Sequence, residues 1–488
     1  MTTEGGGTLA RARVVLSLRD FRQLVFVRLC TQFGDGLFQA VILGSVVFSP
    51  TKHSTSVGVA KALAILVVPY SLVGPFAGVF IDRWPRKLIL VVTPLVRAGL
   101  AFLAIGGTGP AVPFYAGALL VLSANRFLLT TATAVVPKLV PADDLLMANS
   151  VSTTSGTLMR FLGVAVGGPL IDAFGNGPVI VATAVAWGLT SMFAVRIGSD
   201  LSPELAPAGP LSEHVARVAR ELRDGAGRLL HTPRALAPIT SVTWNQFLNG
   251  IIFVVSLVVF RERFHKGVGS YSSLVVAGGI GVMLGLATVN LLEGRFTRRT
   301  VMSASFVISG VPLIAVAGAI NRYDILIVSF LLGLAYSWLK IPADTATQEA
   351  IPDRYRGRVF SIYDIAQNMS GVVAALIAIP LVSNRTIGGL VAGVGVLFLL
   401  WTPVILRWLQ RSATIDVRFY AGSRADETPR SVMLAGEETP VEVERSWREE
   451  RAGARLRCFR LALPDGTRIE VSRAEDGGPW RLDRELTS

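Results

Sequence analysis

The sequence is poor in cysteine and in charged side chains. Cys30 and Cys458 are its 2 cysteines, and they stand in separate parts of a chain of 488 residues, so we expect neither a disulfide nor a cysteine metal site. Charged residues make up 17% of the chain, whereas an ordinary soluble protein carries about 25%. Nucleotide-binding fingerprints, clusters of metal ligands and nucleophile motifs are also missing. These absences argue against a soluble enzyme, a membrane enzyme and an ATP-driven pump, and they predict no cofactor and no metal.

Long apolar runs dominate what is present, because hydrophobic residues make up 51% of the chain. A helix needs about 20 apolar residues to cross a hydrocarbon core of about 30 Å, since it rises about 1.5 Å per residue. With polar clusters, proline and glycine as boundaries, the sequence predicts an all-α polytopic membrane protein with twelve transmembrane helices. The predicted spans are 21–48, 56–80, 88–108, 112–136, 149–173, 177–196, 237–260, 270–292, 301–320, 324–346, 359–382 and 387–409.

The formal net charge of +13 comes from basic residues that stand between the apolar runs, which indicates a lipid bilayer and no nucleic acid as partner. With the N-terminus inside, most basic loop residues, such as Arg19 and Arg228, also lie inside, and the cluster at 261–266 is an exception. This bias predicts a multi-pass protein of the bacterial plasma (inner) membrane with both termini in the cytoplasm. We expect no removable signal peptide, since no small-residue cleavage site follows a short apolar core.

The spans and loops divide the chain into four parts. Residues 1–197 form an N-terminal half of six helices, and residues 237–410 form a C-terminal half of six. Residues 198–236 between them are predicted to be a cytoplasmic loop with an amphipathic helix, which lies on the membrane surface or serves as a solvated connector. After about residue 411, alternating charged strands and tight-turn signals predict a small β-rich cytoplasmic tail domain over residues 411–488.

The two halves share short stretches of sequence at matching places. Gln32, Phe33 and Gly36 in the first predicted span recur as Gln246, Phe247 and Gly250 in the first span of the second half, and Asn249 stands where the first half has Asp35. A second match aligns the stretch that ends at Pro137 with the stretch that ends at Pro352. We therefore predict two six-helix pseudo-repeats with a binding site between them.

The loop after the second predicted span carries an ordered motif. It consists of Gly78, Asp82, Arg83, Arg86 and Lys87, and it closely resembles the loop signature of the major facilitator superfamily of transporters. In that family the element controls the closed inner gate. An ordinary positive-inside loop would account for the last two basic residues but not for the spacing of the glycine and the Asp-Arg pair. The corresponding loop of the second half, 293–299, is a degenerate copy without the aspartate.

The fifth predicted span resembles the glycine-rich fifth-helix motif of exporters in the superfamily, through Gly163, Gly167, Gly168 and Pro169. Close helix packing is the alternative reading, because small residues at helical spacing allow helices to approach. Fragments between about residues 18 and 410 also resemble the bacterial branch that exports macrolides and catecholate siderophores. The resemblance leaves the substrate open.

The resemblance implies a secondary active transporter, a proton-linked exporter of amphipathic small molecules such as drug-like compounds or siderophores, which works by alternating access. Uptake or lipid transport without proton coupling is one alternative, and a transporter-like membrane sensor is another. The expected partners are a small-molecule substrate, a proton and the lipid bilayer, and we expect a monomer.

Two ionisable residues stand deep in the predicted spans, where a charge costs about 2.5–3.5 kcal/mol unless it faces a partner or water. Asp35 and Arg126 are therefore predicted to form the site of proton coupling or substrate binding, with Arg126 acting on the pKa of Asp35. A fixed structural ion pair is the alternative. Arg28 and Arg97 are predicted to reach the cytoplasmic surface by extending their side chains.

Further polar and aromatic residues of the spans are candidates for the lining of a cavity, although helix–helix hydrogen bonds use the same side chains. These candidates are Gln32, Gln39, Asn125, Arg160, Trp244, Asn245, Gln246, Asn249, Tyr336, Trp338 and Asn368.

Overall fold

The computed structural model describes fourteen stretches of the chain. They are residues 8–46, 84–105, 112–201, 211–230, 232–260, 267–318, 320–382, 387–412, 414–419, 429–434, 437–451, 454–464, 468–475 and 480–486. The predicted span at 56–80 and the motif residues Gly78, Asp82 and Arg83 lie outside them.

Six helices of the described residues belong to the N-terminal part. They are α1 Thr8–Ser17, α2 Arg19–Val46, α3 Arg86–Ile105, α4 Val112–Leu139, α5 Leu145–Phe174 and α6 Asn176–Val195. Helix α5 ends at Gly175, whose φ of 76° is a backbone conformation that glycine adopts without steric cost, so the chain reverses there directly into α6.

Seven helices of the described ranges follow in the second part. They are α7 Leu211–Leu230, α8 Pro233–Val258, α9 Val268–Glu293, α10 Arg298–Val316, α11 Arg322–Ala350, α12 Asp353–Leu381 and α13 Ile387–Ser412. Side-chain caps begin two of them. The side chain of Thr297 accepts a hydrogen bond from the N–H of Thr300 at the start of α10, and Asn321 accepts from the N–H groups of Tyr323 and Asp324 at the start of α11.

Nine helices of the described residues are long and apolar enough to cross a membrane. These stretches are Ala116–Leu139, Ala142–Phe174, Asn176–Val195, Pro233–Val258, Val268–Glu293, Arg298–Val316, Arg322–Ala350, Tyr355–Ala378 and Ile387–Trp408. Two more predicted spans correspond to α2, which carries Arg28, Asp35 and three glutamines, and to α3. The count of twelve stays a prediction.

The helices of the two parts have matching neighbours. Helix α2 packs on α5 and α6, and α3 packs on α4 and α6; in the second part α8 packs on α12 and α13, and α10 packs on α11 and α13. Each set encloses buried apolar side chains, such as Phe21 and Trp187 in the first and Phe306 and Phe398 in the second. Helices α5 and α9 make the main contact between the two sets.

Helix α7 falls in the predicted loop and packs along α12. Glu221 forms an ion pair of 3.5 Å with Arg358, and the Arg228 guanidinium lies 5.8 Å from the ring centre of Tyr355. A Cβ added to Gly225 would lie 2.9 Å from Cβ of Arg358, so the glycine allows this close approach. Helix α7 therefore contacts the second set of helices directly.

The residues after α13 form an antiparallel sheet with the strand order β3-β2-β1-β7-β6-β5-β4. Apolar side chains at alternate strand positions form its buried core, and they include Val432, Phe459, Leu461 and Val471. The strands are β1 Thr414–Phe419, β2 Pro429–Leu434, β3 Glu437–Pro440, β4 Glu442–Arg451, β5 Ala454–Ala462, β6 Arg468–Ala474 and β7 Trp480–Leu486. That this sheet is an independent cytoplasmic domain stays a prediction.

Candidate functional site

Glycine pairs bring the helices of each half into close contact. A Cβ on Gly36 of α2 would overlap the backbone of α5 at Arg160 and Gly163, and a Cβ on Gly163 would lie 2.9 Å from Cα of Gly36. In the second half a Cβ on Gly250 of α8 would lie 3.2 Å from Cα of Gly371 in α12. Small residues at such crossings replace hydrophobic burial as the packing device in membranes. These close crossings determine which side of α5 contacts α2 and which side of α12 contacts α8.

The fifth-helix glycines face two different helices. Gly163 and Gly167 face α2, whereas a Cβ on Gly168 would overlap Ser272 of α9. A Cβ on Gly269 would lie 3.0 Å from Cα of Pro169, and the N–H of Gly269 donates a 2.9 Å hydrogen bond to Asp172. The motif therefore packs the two halves together at the end of α5. We call this contact, between 168–172 and 267–272, the closed end.

The other end of α5 exposes polar side chains. Thr153 and Arg160 are exposed, whereas Val164 is buried as α5 approaches the closed end. Leu158 and Leu162 are also exposed, but each is two residues from Arg160 and therefore about 160° away around the helix. The apolar side suits lipid, and the polar side faces inward between α2 and α9.

Arg160 donates two hydrogen bonds to Oε1 of Gln39 on α2, of 3.3 Å from Nε and 3.1 Å from Nη2. Asn368 holds the corresponding place in the second half, because it precedes Gly371 by three residues as Arg160 precedes Gly163. Its side-chain amide donates a 2.7 Å hydrogen bond to the backbone carbonyl of Asp364. Both side chains stand at helix crossings beside the interface of the halves.

Asp35 pairs with Arg97 of α3, and this corrects two predictions. The expected partner was Arg126, and Arg97 was expected to reach the surface, yet the Arg97 side chain is 1% exposed and that of Asp35 is 8% exposed. The Arg97 guanidinium also lies 4.0 Å from the ring centre of Trp187 on α6. Asp35 thus stands on the side of α2 that faces α3 and α6, away from α5.

Arg126 of α4 instead pairs with Asp364 of α12. The pair joins the N-terminal and C-terminal sets of helices, and its side chains are 27% and 50% exposed, so neither is sealed inside the protein. Asp364 was missed because the predicted span began at residue 359 and placed it near a helix end. In the structure α12 begins at Asp353, so Asp364 lies about 16 Å along the helix.

A second charged group lies on α11. Lys340 donates hydrogen bonds of 2.5 and 2.6 Å to Asp344, four residues along the same helix, and its ammonium lies 4.4 Å from the ring centre of Tyr363 on α12. Neither charged residue was predicted, because both lie in the last turns of the predicted span at 324–346. The structure extends α11 to Ala350, which moves them inward.

Several other candidates take part in packing. Asn245 is fully buried, which corrects its placement in a cavity, and it accepts a 2.7 Å hydrogen bond from Asn249. Trp244 stacks between Phe247 and Trp401 with ring centres at 5.4 and 5.1 Å. Their surroundings are the interior of the second set of helices.

The remaining candidates are half-buried or buried. Trp338 donates a 3.0 Å hydrogen bond to Thr288, Asn125 is 8% exposed, and Gln32, Gln246 and Tyr336 are half-buried. Arg28 was predicted to reach the surface, but it is buried and donates to Ser152 at 3.2 Å and Thr133 at 3.4 Å.

The described residues of the loop motif bind helix ends. Arg86 donates a 3.4 Å hydrogen bond to the carbonyl of Ala134 near the end of α4, and Lys87 donates one of 2.7 Å to the carbonyl of Ile197 just after α6. These basic residues complement the negative ends of the two helix dipoles.

Comparisons with known proteins agree with this architecture. The family profile described as "Major Facilitator Superfamily" matches residues 239–452. An uncharacterized MFS-type transporter of Mycobacterium tuberculosis is 29% identical over 76% of this chain and 87% of its own length. Macrolide efflux protein A of Streptococcus pyogenes is 24% identical over 70% of this chain and 85% of its own length.

Solved structures share the fold. A POT family transporter in complex with a thioalcohol-conjugated peptide superimposes with a TM-score of 0.66 at 10% identity, over 81% of this chain and 96% of its own. The POT family transporter PepTSo superimposes with a TM-score of 0.61 at 12% identity, over 81% of this chain and 98% of its own. The profile and the relatives identify the chain as similar to transporters of the Major Facilitator Superfamily, and its long apolar helices are those of a multi-pass membrane protein.

Proposed function

We propose that the protein is a proton-linked exporter of amphipathic small molecules that works by alternating access between its two halves. The observation that carries this proposal is the Arg126–Asp364 ion pair, which joins the halves through partly exposed side chains. An ion pair at this place forms or breaks when the halves rock against each other. A protonation that breaks it is therefore linked to the conformational change.

The packing of α5 supports a carrier that is open at one end. The halves meet at the closed end, between 168–172 and 267–272, while Thr153 and Arg160 on the inner side of α5 are exposed. With both termini in the cytoplasm, the exposed side chains face the cytoplasmic end. This is the conformation in which an exporter loads its substrate. The loop motif 78–87, by its resemblance, closes this end in the opposite conformation.

The proton site that fits this geometry is Asp364 rather than Asp35. A proton carrier exchanges with water, and the Asp364 side chain is 50% exposed whereas that of Asp35 is 8% exposed and paired with buried Arg97. Protonation of Asp364 removes its attraction for Arg126 and releases the link between the halves. Asp35 then has the role of a fixed ion pair within the first half.

The export direction rests on the relatives and on the fifth-helix motif. Macrolide efflux protein A is named for efflux, and this chain is 24% identical to it. In addition, Gly163 and Gly167 hold α5 against α2 while Gly168 holds it against α9, so the motif stands where the outer end closes. We place the protein in the bacterial plasma membrane, with the loop at 198–236 and the sheet after α13 in the cytoplasm.

The test is transport in proteoliposomes of the purified protein against a panel of amphipathic compounds, with and without a pH gradient. The native chain is expected to move a compound against its concentration gradient when the pH gradient is present. Asp364→Asn is expected to lose gradient-driven transport and to keep exchange at equal pH, since asparagine imitates the protonated acid.

Glu438→Gln is the matched control, because it removes an exposed ion pair with Arg418 in the sheet, far from the helix interface in sequence. Gradient-driven transport that survives in Asp364→Asn would move the proton site elsewhere. Equilibration of a compound at the same rate and to the same level with and without a pH gradient would favour uptake or lipid transport without coupling, and a chain that moves none of the compounds would favour the sensor alternative.

A further inference from the structure

We infer that the substrate carries an anionic group, a carboxylate or a phosphate, and that Arg160 binds it from the N-terminal half. This inference rests on the proposed transport function and names the chemical class of its substrate. It depends on where Arg160 points, on what neutralises the other charges between the halves, and on the donors beside it.

Arg160 points to the interface of the halves. Its position on α5 lies between the face that contacts α2, at Gly156 and Gly163, and the face that contacts α9, at Phe161 and Gly168. The apolar side of the helix is on the far side. A guanidinium that is exposed in the middle of a 30-residue helix is costly in lipid and stable in a water-filled cavity.

Two other exposed or half-buried cations of the described residues near this interface have a carboxylate partner. Arg126 pairs with Asp364, and Lys340 pairs with Asp344. Within the described residues, the hydrogen-bond partner of Arg160 is the neutral amide of Gln39. The predicted span 56–80, which lies outside the described residues, contains neither aspartate nor glutamate in its sequence. Among the described residues, Arg160 therefore offers an exposed positive charge beside the interface whose hydrogen-bond partner is a neutral amide.

The chemistry around this charge suits an oxyanion. A guanidinium presents several N–H donors in a planar fork that matches the two oxygens of a carboxylate or phosphate. Gln39 accepts the hydrogen bonds of Arg160 through Oε1, so its side-chain NH2 group stays available as a further donor on the same side. Asn368 stands at the corresponding place of the other half and is uncharged. Of these two positions, the one in the first half therefore carries the positive charge.

The test compares three fluorescent probes with the same dansyl-alkyl body and different head groups: a carboxylate, a trimethylammonium and a zwitterionic amino acid. Binding is measured by fluorescence with the protein in phosphatidylcholine nanodiscs. Exchange is measured as counterflow in proteoliposomes at equal pH on both sides, so that proton coupling plays no part. A phosphate-headed probe of the same body distinguishes the two kinds of oxyanion.

In Arg160→Gln the carboxylate probe is expected to bind roughly tenfold more weakly or worse, because a charge-assisted hydrogen bond is lost. Arg160→Lys should recover part of the affinity, since the charge returns without the planar fork. Binding of the trimethylammonium probe should stay the same or improve. Arg196→Gln is the matched control, because Arg196 is exposed at the end of α6 and outside the interface.

Unchanged affinity and counterflow of the carboxylate probe in Arg160→Gln would overturn the inference. If Arg160→Gln does not fold, Arg160→Lys is tested instead. The inference would also be overturned if Arg160→Lys bound the carboxylate probe and the phosphate probe each as tightly as the native chain does. A native chain that exchanges the trimethylammonium probe and no anionic or zwitterionic probe also overturns it, while the proposed transport function stands. A native chain that exchanges none of the probes contradicts the transport function itself.

Discussion

Two ion pairs of the described membrane helices, Asp35–Arg97 and Asp364–Arg126, differ in burial, and substitution of their acids should therefore have opposite consequences. In Asp35–Arg97 the side chains are 8% and 1% exposed, so Asp35→Asn leaves the Arg97 guanidinium buried without a carboxylate. Its remaining neighbour is the face of the Trp187 ring, 4.0 Å away. Breaking a buried pair from one side typically costs about 3–5 kcal/mol.

The same change in the other pair should cost far less stability. The side chains of Asp364 and Arg126 are 50% and 27% exposed, and solvent screening reduces such a pair to about 0–1 kcal/mol. We therefore expect Asp35→Asn to lower the stability of the purified protein strongly and Asp364→Asn to leave it nearly unchanged. For transport the order is reversed, since Asp364→Asn loses proton coupling.

Thermal unfolding of the purified variants in one detergent measures the first property, and gradient-driven against equal-pH transport measures the second. Asp35→Asn combined with Arg97→Met serves as the control for burial, because removing both charges should recover most of the lost stability. The reasoning would be refuted by an Asp35→Asn protein that unfolds at the native temperature and has lost only its coupling. In that case Asp35 would be the proton carrier, as its position in the sequence predicts.

Three further predictions test the closed end, the junction of α2 with α6, and the topology. Gly168→Ala should slow transport because its Cβ would overlap α9, whereas Gly177→Ala, with nothing within 4 Å, should not; turnover in proteoliposomes compares them. The Ser199 hydroxyl, with backbone N–H groups, holds the pKa of Asp20 below 3.8, so this stabilisation is complete above pH 3.8 and is lost as the pH falls through the lowered value. The stability lost in Ser199→Ala should accordingly shrink on acidification, as pH-dependent unfolding would measure. A reporter fused after Ser488 should be cytoplasmic, and a periplasmic signal would contradict the topology.

In the described parts of the chain, hydropathy predicts where helices form but not which side chains meet. The runs around Trp187 and Phe306 are apolar over whole spans, and length alone then favours a helix. The repeated Gly36 and Gly250 were also visible, and both lie at close crossings. Which side chains pair depends on how each helix is rotated about its own axis relative to its neighbours, and hydropathy carries no information about that rotation. Asp35 contacts Arg97 because it lies on the side of α2 that faces α3. The depth predicted for Asp35 in the membrane was compatible with Arg126 as well as with Arg97.

Helix ends explain the residues that the sequence reading missed. Asp344 and Asp364 lie near the ends of the predicted spans 324–346 and 359–382, and a span limited to about 20 positions places such residues close to the membrane surface. Helices α11 and α12 each contain 29 residues and extend beyond the apolar run. A long helix beside a water-filled interface tolerates charges in these extra turns, because they face water or each other rather than lipid.

The proposed anionic group and the proposed proton site together define the sign of coupling. An anion held only by Arg160 does not displace Arg126 from Asp364, so its binding does not compete with the proton. Exchange requires that substrate and proton compete for one group. A zwitterion meets this requirement, because its anionic part neutralises Arg160 and its cationic part takes the place of Arg126 at an ionised Asp364. We therefore expect a pH gradient to drive the zwitterionic probe, while the carboxylate probe binds and exchanges at equal pH without being accumulated. The measurement is uptake of both probes into the same proteoliposomes with and without the gradient, and accumulation of the carboxylate probe to the same extent would place the coupling outside Asp364.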